Sequence, residues 1–390
     1  MLGITGSIAA FKATELASQL TQMGALVDTI LTPSAEKFTT PLTLRSVTAR
    51  HAFTEADLWG GEAHVLHVGL GRTADLVVIA PCTANTLAKL AHGQADNLLT
   101  ITALAATCPL LIAPAMDGGM LDHPATQENI ATLIKRGAVI AGPAEGHLAS
   151  GLSGKGRLLE PMELAGHIRR VLGQKGRLAG KKVVISAGGT QEPLDPVRIL
   201  TNRSSGKQGY ALAQAAIDAG AHVTLISAPT EMTSPIGAYT VQVQTAREML
   251  NAVVEACKEA DALIMAAAVA DFRPVQSSAE KLKTRDGVPH VELEATQDVL
   301  TAVTGARRPR VVVGFAAESR DLQQNAAEKL KAKILDLIVA NDISAGDAGF
   351  GTDTNRVTLI DAKGNTEALP LATKADVADI VLRRVAALLE

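Results

Sequence analysis

Two loops in the second half of this 390-residue chain are built to hold an anion. One runs Gly188, Gly189, Thr190, Gln191, Glu192 and Pro193 directly after the apolar run 183–187. The other runs Asn202, Arg203, Ser204, Ser205, Gly206 and Lys207 into a stretch of helical pattern. Small residues between a strand and a helix leave backbone N–H groups accessible, and a helix amino end adds a positive potential, so such a crevice suits phosphate. Taken alone, the first loop reads equally as a plain strand-to-helix turn; the second loop, with its Lys and two nearby Arg, tips it toward a ligand. Neither loop has the GxGxxG or GxxxxGK[ST] spacing, which excludes a nicotinamide dinucleotide fingerprint and a Walker-type site. Asp271 closes the run Ala266, Ala267, Ala268, Val269, Ala270, where a carboxylate at a strand's carboxyl end reaches a ligand or metal. Lys281 and Lys283 follow in a polar loop. Lys329 and Lys333, four apart, share one helical face, suited to solvent or to a polyphosphate.

The first half repeats the theme more sparely. Gly6, Ser7, Ile8 and Ala9 join a strand to a helix and can cradle one phosphate group. Ser34 follows the next strand, and Thr83, Ala84 and Asn85 follow a third; loops at strand carboxyl ends are where open α/β sheets bind ligands. His67, among Leu66, Val68 and Leu70, reads either as a packed histidine or as a general base.

The elements that must position these residues alternate short β-branched runs with helical stretches, the pattern of a doubly wound α/β sheet. Strands are predicted at 27–32, 75–80, 110–114 and 138–142, and helices at 9–23, 83–91, 97–106 and 124–136. The pattern restarts after 173–182, GQKGRLAGKK, which reads as a basic, solvated linker between two domains, 1–172 and 183–390. Strands are then predicted at 183–187, 222–227, 263–267, 310–315, 335–340 and 356–360, with helices at 206–219, 246–260, 321–333 and 374–389. The fold class is α/β, with two doubly wound Rossmann-like domains, the first flavodoxin-like and the second with a mainly parallel sheet.

Bulk properties narrow the functions. Only 2% of residues are aromatic, too few for a base-stacking surface, and a net charge of -3 gives no field for nucleic acid or anionic membrane. Cys82, Cys108 and Cys257 lack metal or disulfide spacing. No run reaches ~18 apolar residues and no signal peptide is apparent, which predicts a cytoplasmic protein. The first strand, at 1–5, is very short, and the start of the chain is expected to lie upstream.

The stretches AGGTQEPLDPVR, NRSSGKQGY, AAAVADF, EKLK, VGFAAES and EKLKAKILDLIVAND resemble the phosphopantothenate–cysteine ligase family over most of 181–390. The resemblance implies that 4'-phosphopantothenate attacks CTP to give an acyl-cytidylate, which the amine of cysteine then opens, in coenzyme A biosynthesis. It implies a CTP site of Met265, Ala266, Ala267, Asp271, Lys281, Thr296, Gln297, Asp298, Val299, Phe315, Lys329 and Lys333. Mg²⁺ would bridge the triphosphate, its protein ligands unassigned. Arg198 and Asn202 match positions that handle the intermediate, and Lys281 is the leading catalytic candidate.

The stretches GSIAAFK, TPSA, HVGLGRTADLVVIAPCTAN, APAMDGGM and LASGLSGKGR resemble the flavin-containing cysteine decarboxylases, in particular the phosphopantothenoylcysteine decarboxylases, over 1–170. That family is often fused ahead of the ligase as a bifunctional protein. The resemblance implies FMN held by Gly6, Ser7, Ile8, Ser34, Thr83, Ala84 and Asn85, and His67 as general base. It also implies homo-oligomers, with trimeric flavin domains and dimeric ligase domains giving a dodecamer. Two positions depart from its pattern. Asp117 stands where PAMN has an asparagine, and Ser150 where ACG has a cysteine. An ionised Asp117 would repel the departing carboxylate unless its pKa were raised or a cation intervened. Ser150 is a far weaker acid than a thiol. The alternative is therefore a ligase fused to a flavin domain without decarboxylase turnover, kept for assembly or regulation.

Overall fold

The computed structural model describes residues 1–59, 65–283, 289–305, 307–318, 322–342 and 351–390. By internal contacts these divide into two compact units, Met1–Leu172 and Gly173–Glu390.

In the first unit six parallel strands lie in the spatial order Ala52–Phe53, Thr29–Leu31, Leu2–Ile4, Val77–Cys82, Leu110–Pro114 and Val139–Ile140. Parallel strands are covered by helices on both faces, and Val77–Cys82 is accordingly buried at every residue. The chain starts in the middle, builds outward to one edge, then returns to build the other half. Its switch point falls between Leu2–Ile4 and Val77–Cys82. A buried hydroxyl bridges it: Thr5 Oγ1 donates to the carbonyl of Pro81 at 2.7 Å and accepts from the Thr83 N–H at 3.0 Å.

The strands expected at 27–32, 75–80 and 138–142 are present but shorter or shifted, and Leu110–Pro114 has the expected bounds. Among the described residues five α-helices were not anticipated: Pro41–Thr48, Leu66–Thr73, Gly118–Asp122, Pro161–Gly173 and Val299–Gly305. Leu66–Thr73 contains two glycines, which lower helical propensity, yet it packs on helix Leu98–Ala105. A Cβ on Gly71 would lie 3.0 Å from the carbonyl of Thr102, so the glycine is what lets the two helices approach. His64, beside His67 in the sequence, lies outside the described residues.

The second unit is an eight-stranded sheet in the order Tyr239–Gln242, His222–Ser227, Lys182–Ala187, Ala262–Met265, Val311–Glu318, Leu337–Asp342, Val357–Asp361 and Thr366–Ala368. The first six are parallel and the last two antiparallel. Helices Lys207–Asp218 and Lys374–Leu389 share one face. Ala246–Cys257, Val299–Gly305 and Leu322–Ala332 cover the other; residue 321, the expected first residue of the last of these, lies outside the described residues. The stretch expected to be a solvated linker is packed instead: Leu178 is fully buried in the core and donates its N–H to Ala219 at 2.8 Å. A Cβ on Gly176 would stand 2.4 Å from the Ala219 carbonyl. Burial raises the Cys82 thiol and pushes that of Cys257 up to about 12, so both behave as small core residues.

Gly209, two residues into helix Lys207–Asp218, sets how closely that helix sits on the sheet. A Cβ there would be 2.5 Å from Cβ of Ala187 and 2.8 Å from the Ser186 carbonyl. Overpacking at such a contact costs about 1–3 kcal/mol, so Gly209→Ala should lower the denaturation midpoint of the protein by a corresponding amount in urea titration.

Candidate functional site

Each unit carries a candidate site at the carboxyl ends of its strands. In the second unit the switch point lies between Lys182–Ala187 and Ala262–Met265. Ser186 Oγ accepts from the N–H groups of Ala266 and Ala267, both at 3.1 Å, which fixes the end of the neighbouring strand. Thr190, fully buried, accepts from the Ala270 N–H at 2.8 Å. Gly188 has φ +81°, and a side chain there would meet the Ala228 carbonyl at 2.7 Å. The Gly188–Gly189–Thr190 turn is therefore a structural clamp between strands as much as a rim of the crevice.

A pocket of about 130 Å³ opens there, lined by Ser204, Gly206, Lys207, Ala267, Phe315 and Lys374 among others. This volume admits a phosphate-sized group, which makes the pocket a candidate subsite. Gly206, in left-handed conformation with φ +77°, starts helix Lys207–Asp218 without a side-chain cap, leaving leading N–H groups open toward the pocket. Lys207 donates to Asp353 at 2.6 Å. Lys374 is 7% exposed and comes from the first residue of the last helix; burial, then the nearby Lys207, lowers its pKa. Asn341 and Asn355 present buried Oδ1 atoms with no hydrogen-bond partner among the described residues.

The expected nucleotide-site residues fall in three groups, of which only the first lines this pocket. Ala266, Ala267 and Phe315 line it, and Met265 is the strand residue just before them. Asp271 begins a hairpin of Phe272–Pro274 with Leu293–Ala295; its carbonyl accepts from the Thr296 N–H at 2.9 Å. Gln297 is exposed, Val299 is buried, and Asp298 caps helix Val299–Gly305 by accepting from the Thr301 N–H at 2.7 Å. Burial raises the Asp298 carboxyl, but its bonds to Lys333 and to Thr301 outweigh this and hold it below the usual range. Lys333 pairs with Asp298 just beyond helix Leu322–Ala332, which carries Lys329. The sequence reading did not select Lys374 or the two asparagines. Nothing local marks them, since only the sheet order brings residues 341, 355 and 374 to residues 204–209.

Asn202 donates to the carbonyls of Ala268 at 3.3 Å and Val269 at 3.1 Å. Asp195, 2% exposed, collects the N–H groups of Val197 at 2.8 Å, Arg198 at 2.7 Å and Leu282 at 3.2 Å, and the Arg198 guanidinium at 2.7 Å. The loop carrying Lys281 is thus tied to the loop carrying Arg198 through one buried carboxylate, while Lys281 itself is exposed.

In the first unit, Gly6 packs on Ser34: a Cβ on the glycine would come within 2.3 Å of the serine Cβ. Helix Ala10–Gln22 begins after Ala9 with no side-chain cap. Thr83 caps its own helix, Ala84–His92. Gly6, Ser7, Ile8 and Ser34 therefore sit on loops, while Thr83 caps the helix that Ala84 and Asn85 begin; the Thr5 bridge joins the first loop to that helix start, and Ile8 and Asn85 are exposed. His67 lies on helix Leu66–Thr73, with Nδ1 buried and unpartnered among the described residues. Asp117 and Ser150 meet directly: Ser150 Oγ donates to Asp117 Oδ2 at 2.7 Å, and Asp117 Oδ1 accepts from the Gly119 N–H at 3.0 Å. These two bonds, the serine first, hold the Asp117 carboxyl below its usual range. A raised Asp117 pKa, one of the conditions expected for a neutral residue at this position, is therefore not what the geometry produces.

Two family models match: Flavoprotein over residues 1–173, and DNA/pantothenate metabolism flavoprotein C-terminal domain over residues 178–389. The coenzyme A biosynthesis bifunctional protein CoaBC of Bacillus subtilis is 44% identical over 100% of this chain and 96% of its own length. That of Vibrio cholerae is 42% identical over 99% and 97%, and that of Mycobacterium tuberculosis 43% over 96% and 93%. No helix among the described residues is long and apolar enough to cross a membrane.

Asp195 offers a pH test of the site's scaffold. Burial raises its pKa, but the N–H groups of Val197, Arg198 and Leu282 and the charge of Arg198 outweigh burial and depress it. A depressed folded-state pKa stabilises above the unfolded value, about 3.9, and that stabilisation is lost as pH falls through the folded value. Hydrogen exchange at the Leu282 and Arg198 amides, corrected for intrinsic rates, should therefore lose protection below about pH 4. In Asp195→Ala it should be fast already at neutral pH.

Proposed function

Because the chain belongs to the family of bifunctional coenzyme A biosynthesis proteins, we propose that the two sites carry out consecutive steps, ligation in the second unit and decarboxylation in the first. The chain is a bifunctional enzyme, a phosphopantothenate–cysteine ligase and phosphopantothenoylcysteine decarboxylase. The observation that carries the ligase assignment is the pocket where Ala266, Ala267 and Phe315 meet the open amino end of helix Lys207–Asp218.

In the ligase unit the substrates are 4'-phosphopantothenate, cysteine and CTP. The pantothenate carboxylate attacks the α-phosphorus and displaces pyrophosphate; the cysteine amine then attacks the acyl carbon, and CMP leaves as the amine sheds a proton. Activation is needed because a free carboxylate has no leaving group an amine can expel. Charge accumulates on the phosphates in the first step, and preorganised cations oppose it without reorganising. Lys281 meets the α-phosphate, with Lys329 and Lys333 along the polyphosphate and Lys207 and Lys374 at the subsite. Asp271, Thr296, Gln297, Asp298 and Val299 line the nucleotide. Asn202 and Arg198 hold the acyl group, their positions fixed by Ala268, Val269 and Asp195. Mg²⁺ would enter with the triphosphate and offset part of its charge.

In the flavin unit the uncapped start of helix Ala10–Gln22 and the Gly6–Ser34 contact fit the phosphate of FMN, with Ser7, Ile8, Thr83, Ala84 and Asn85 around it. Bound FMN supplies the two-electron oxidation of the substrate thiol that makes carbon dioxide a feasible leaving group, and later returns the electrons. His67, its Nδ1 unengaged, removes the thiol proton. Exposed Ile8, Phe11 and Trp59, at 59, 61 and 84%, support a homo-oligomeric interface for trimeric flavin units; dimeric ligase units would complete a dodecamer. A cytoplasmic location belongs to the same reading.

Purified protein given phosphopantothenate, cysteine, Mg²⁺ and CTP should release both CMP and CO₂. Absence of CMP would sink the ligase assignment, and CMP without CO₂ would leave the flavin unit as a binding domain. Lys281→Gln should slow CMP release by roughly 10²–10³-fold, the scale of losing one preorganised charge contact. CO₂ release from supplied phosphopantothenoylcysteine should stay unchanged in that variant.

A further inference from the structure

The segment 144–157 forms an antiparallel hairpin, Ala144–His147 with Ser153–Arg157, and its tip carries Ser150. At its base Lys12, 6% exposed, donates to the Leu158 carbonyl at 3.1 Å and to Glu160 at 2.9 Å, and Arg157 also binds Glu160 at 2.8 Å. Along its stem the Met116 N–H donates to the Gly156 carbonyl at 3.0 Å. The approach is so close that a Cβ on Gly156 would stand 2.1 Å from the Met116 carbonyl. The tip, residues 148–152, is a tight turn in which Leu148 donates to Leu152 at 2.8 Å and Gly151, φ +84°, donates to Leu148 at 3.0 Å. Base and stem are thus held by backbone and buried charge. The exposed tip is tied to residues 116–118 by the bond from Ser150 to Asp117.

The two halves of that bond differ in freedom. Asp117 is fixed, since its other oxygen caps helix Gly118–Asp122 through the Gly119 N–H. Ser150 rides on the turn. An ionised acceptor makes this a charge-assisted bond, stronger than a neutral pair and geometrically strict. It also commits the serine proton to a carboxylate, so in this arrangement Ser150 has no proton aimed elsewhere.

We propose that Asp117 and Ser150 are a latch: a pair of positioning residues that sets how often the hairpin tip lifts, rather than an acid and a carboxylate receptor acting on substrate. The latch rests on the flavin-unit reading only for its consequence in turnover; the latch itself is a property of the chain. It accounts for both departures from the family pattern at once, because each residue supplies what the other requires. Asparagine at 117 would offer no charged acceptor, and a thiol at 150 would be a weak donor.

Hydrogen exchange on the full-length protein tests this. Ser150→Ala should speed exchange at the Leu148 and Gly151 amides by roughly three- to tenfold, the scale of one modest hydrogen bond, and Ser150→Thr should restore protection. Asp117→Ala should act alike, and the double variant should exceed the larger single effect by less than twofold, since one bond cannot be lost twice. The Met116 amide, bonded to the stem, serves as the internal reference and should not change. Unchanged exchange in Ser150→Ala, or effects that multiply in the double variant, would overturn the latch. With phosphopantothenoylcysteine supplied, Ser150→Ala should change KM more than kcat. Missing flavin or missing CO₂ in the unaltered protein would instead refute the decarboxylase reading and leave the exchange result standing.

Discussion

Both units depend on one constraint: where the strand order reverses, the central strand and its neighbour diverge, and the backbone groups at their ends lose ladder partners. A buried group without a partner costs free energy, so each must be satisfied or offered to a ligand. A short hydroxyl side chain at the end of the central strand does the first task in each unit. Thr5 bridges to Pro81 and Thr83; Ser186 bridges to Ala266 and Ala267. With those groups satisfied, the first N–H groups of helix Lys207–Asp218 have no side-chain cap, whereas at the start of Ala10–Gln22 the N–H groups of Ala9 and Ala10 already turn back to Ser7. Donors that the scaffold's own hydrogen bonds do not use are the ones an anion could take.

That division explains how much was legible in the sequence. Strand and helix alternation follows from buried parallel strands, whose β-branched runs are unmistakable, and so the positions of the loops followed too. Features set by contact between distant segments were not legible. Helix Leu66–Thr73 contains glycines that lower helical propensity, and only its packing on Leu98–Ala105 explains it. Leu178, one apolar residue in a basic, glycine-rich stretch, signals nothing until its place in the core is seen. Lys374 reaches the pocket from the far end of the chain because helix Lys374–Leu389 packs beside Lys207–Asp218.

The Asp117–Ser150 pair shows a different limit. Read against a family pattern one position at a time, the two residues are separate defects, a misplaced charge and a missing acid. Thirty-three residues separate them in the chain, and neither position's own neighbours point to the other. The hairpin that joins them is fixed by Gly156, whose conformation and lack of a side chain admit the Met116 carbonyl. Two deviations that satisfy one another carry different weight from two that do not. A lone ionised aspartate would be an uncompensated charge facing a carboxylate substrate, whereas a paired one has a structural reason to stay ionised.

The two sites therefore use charge in opposite ways. The ligase pocket brings two cationic side chains, Lys207 and Lys374, to the start of one helix, with Asp353 bonded to Lys207. At the flavin-unit hairpin the Asp117 carboxylate is held instead by hydrogen bonds from Ser150 and Gly119. Clustered cations favour an incoming anion, and a hydrogen-bonded carboxylate favours holding a segment in place. On that physical ground the cationic pocket suits an anionic substrate, and the aspartate–serine pair suits the scaffold that shapes a site.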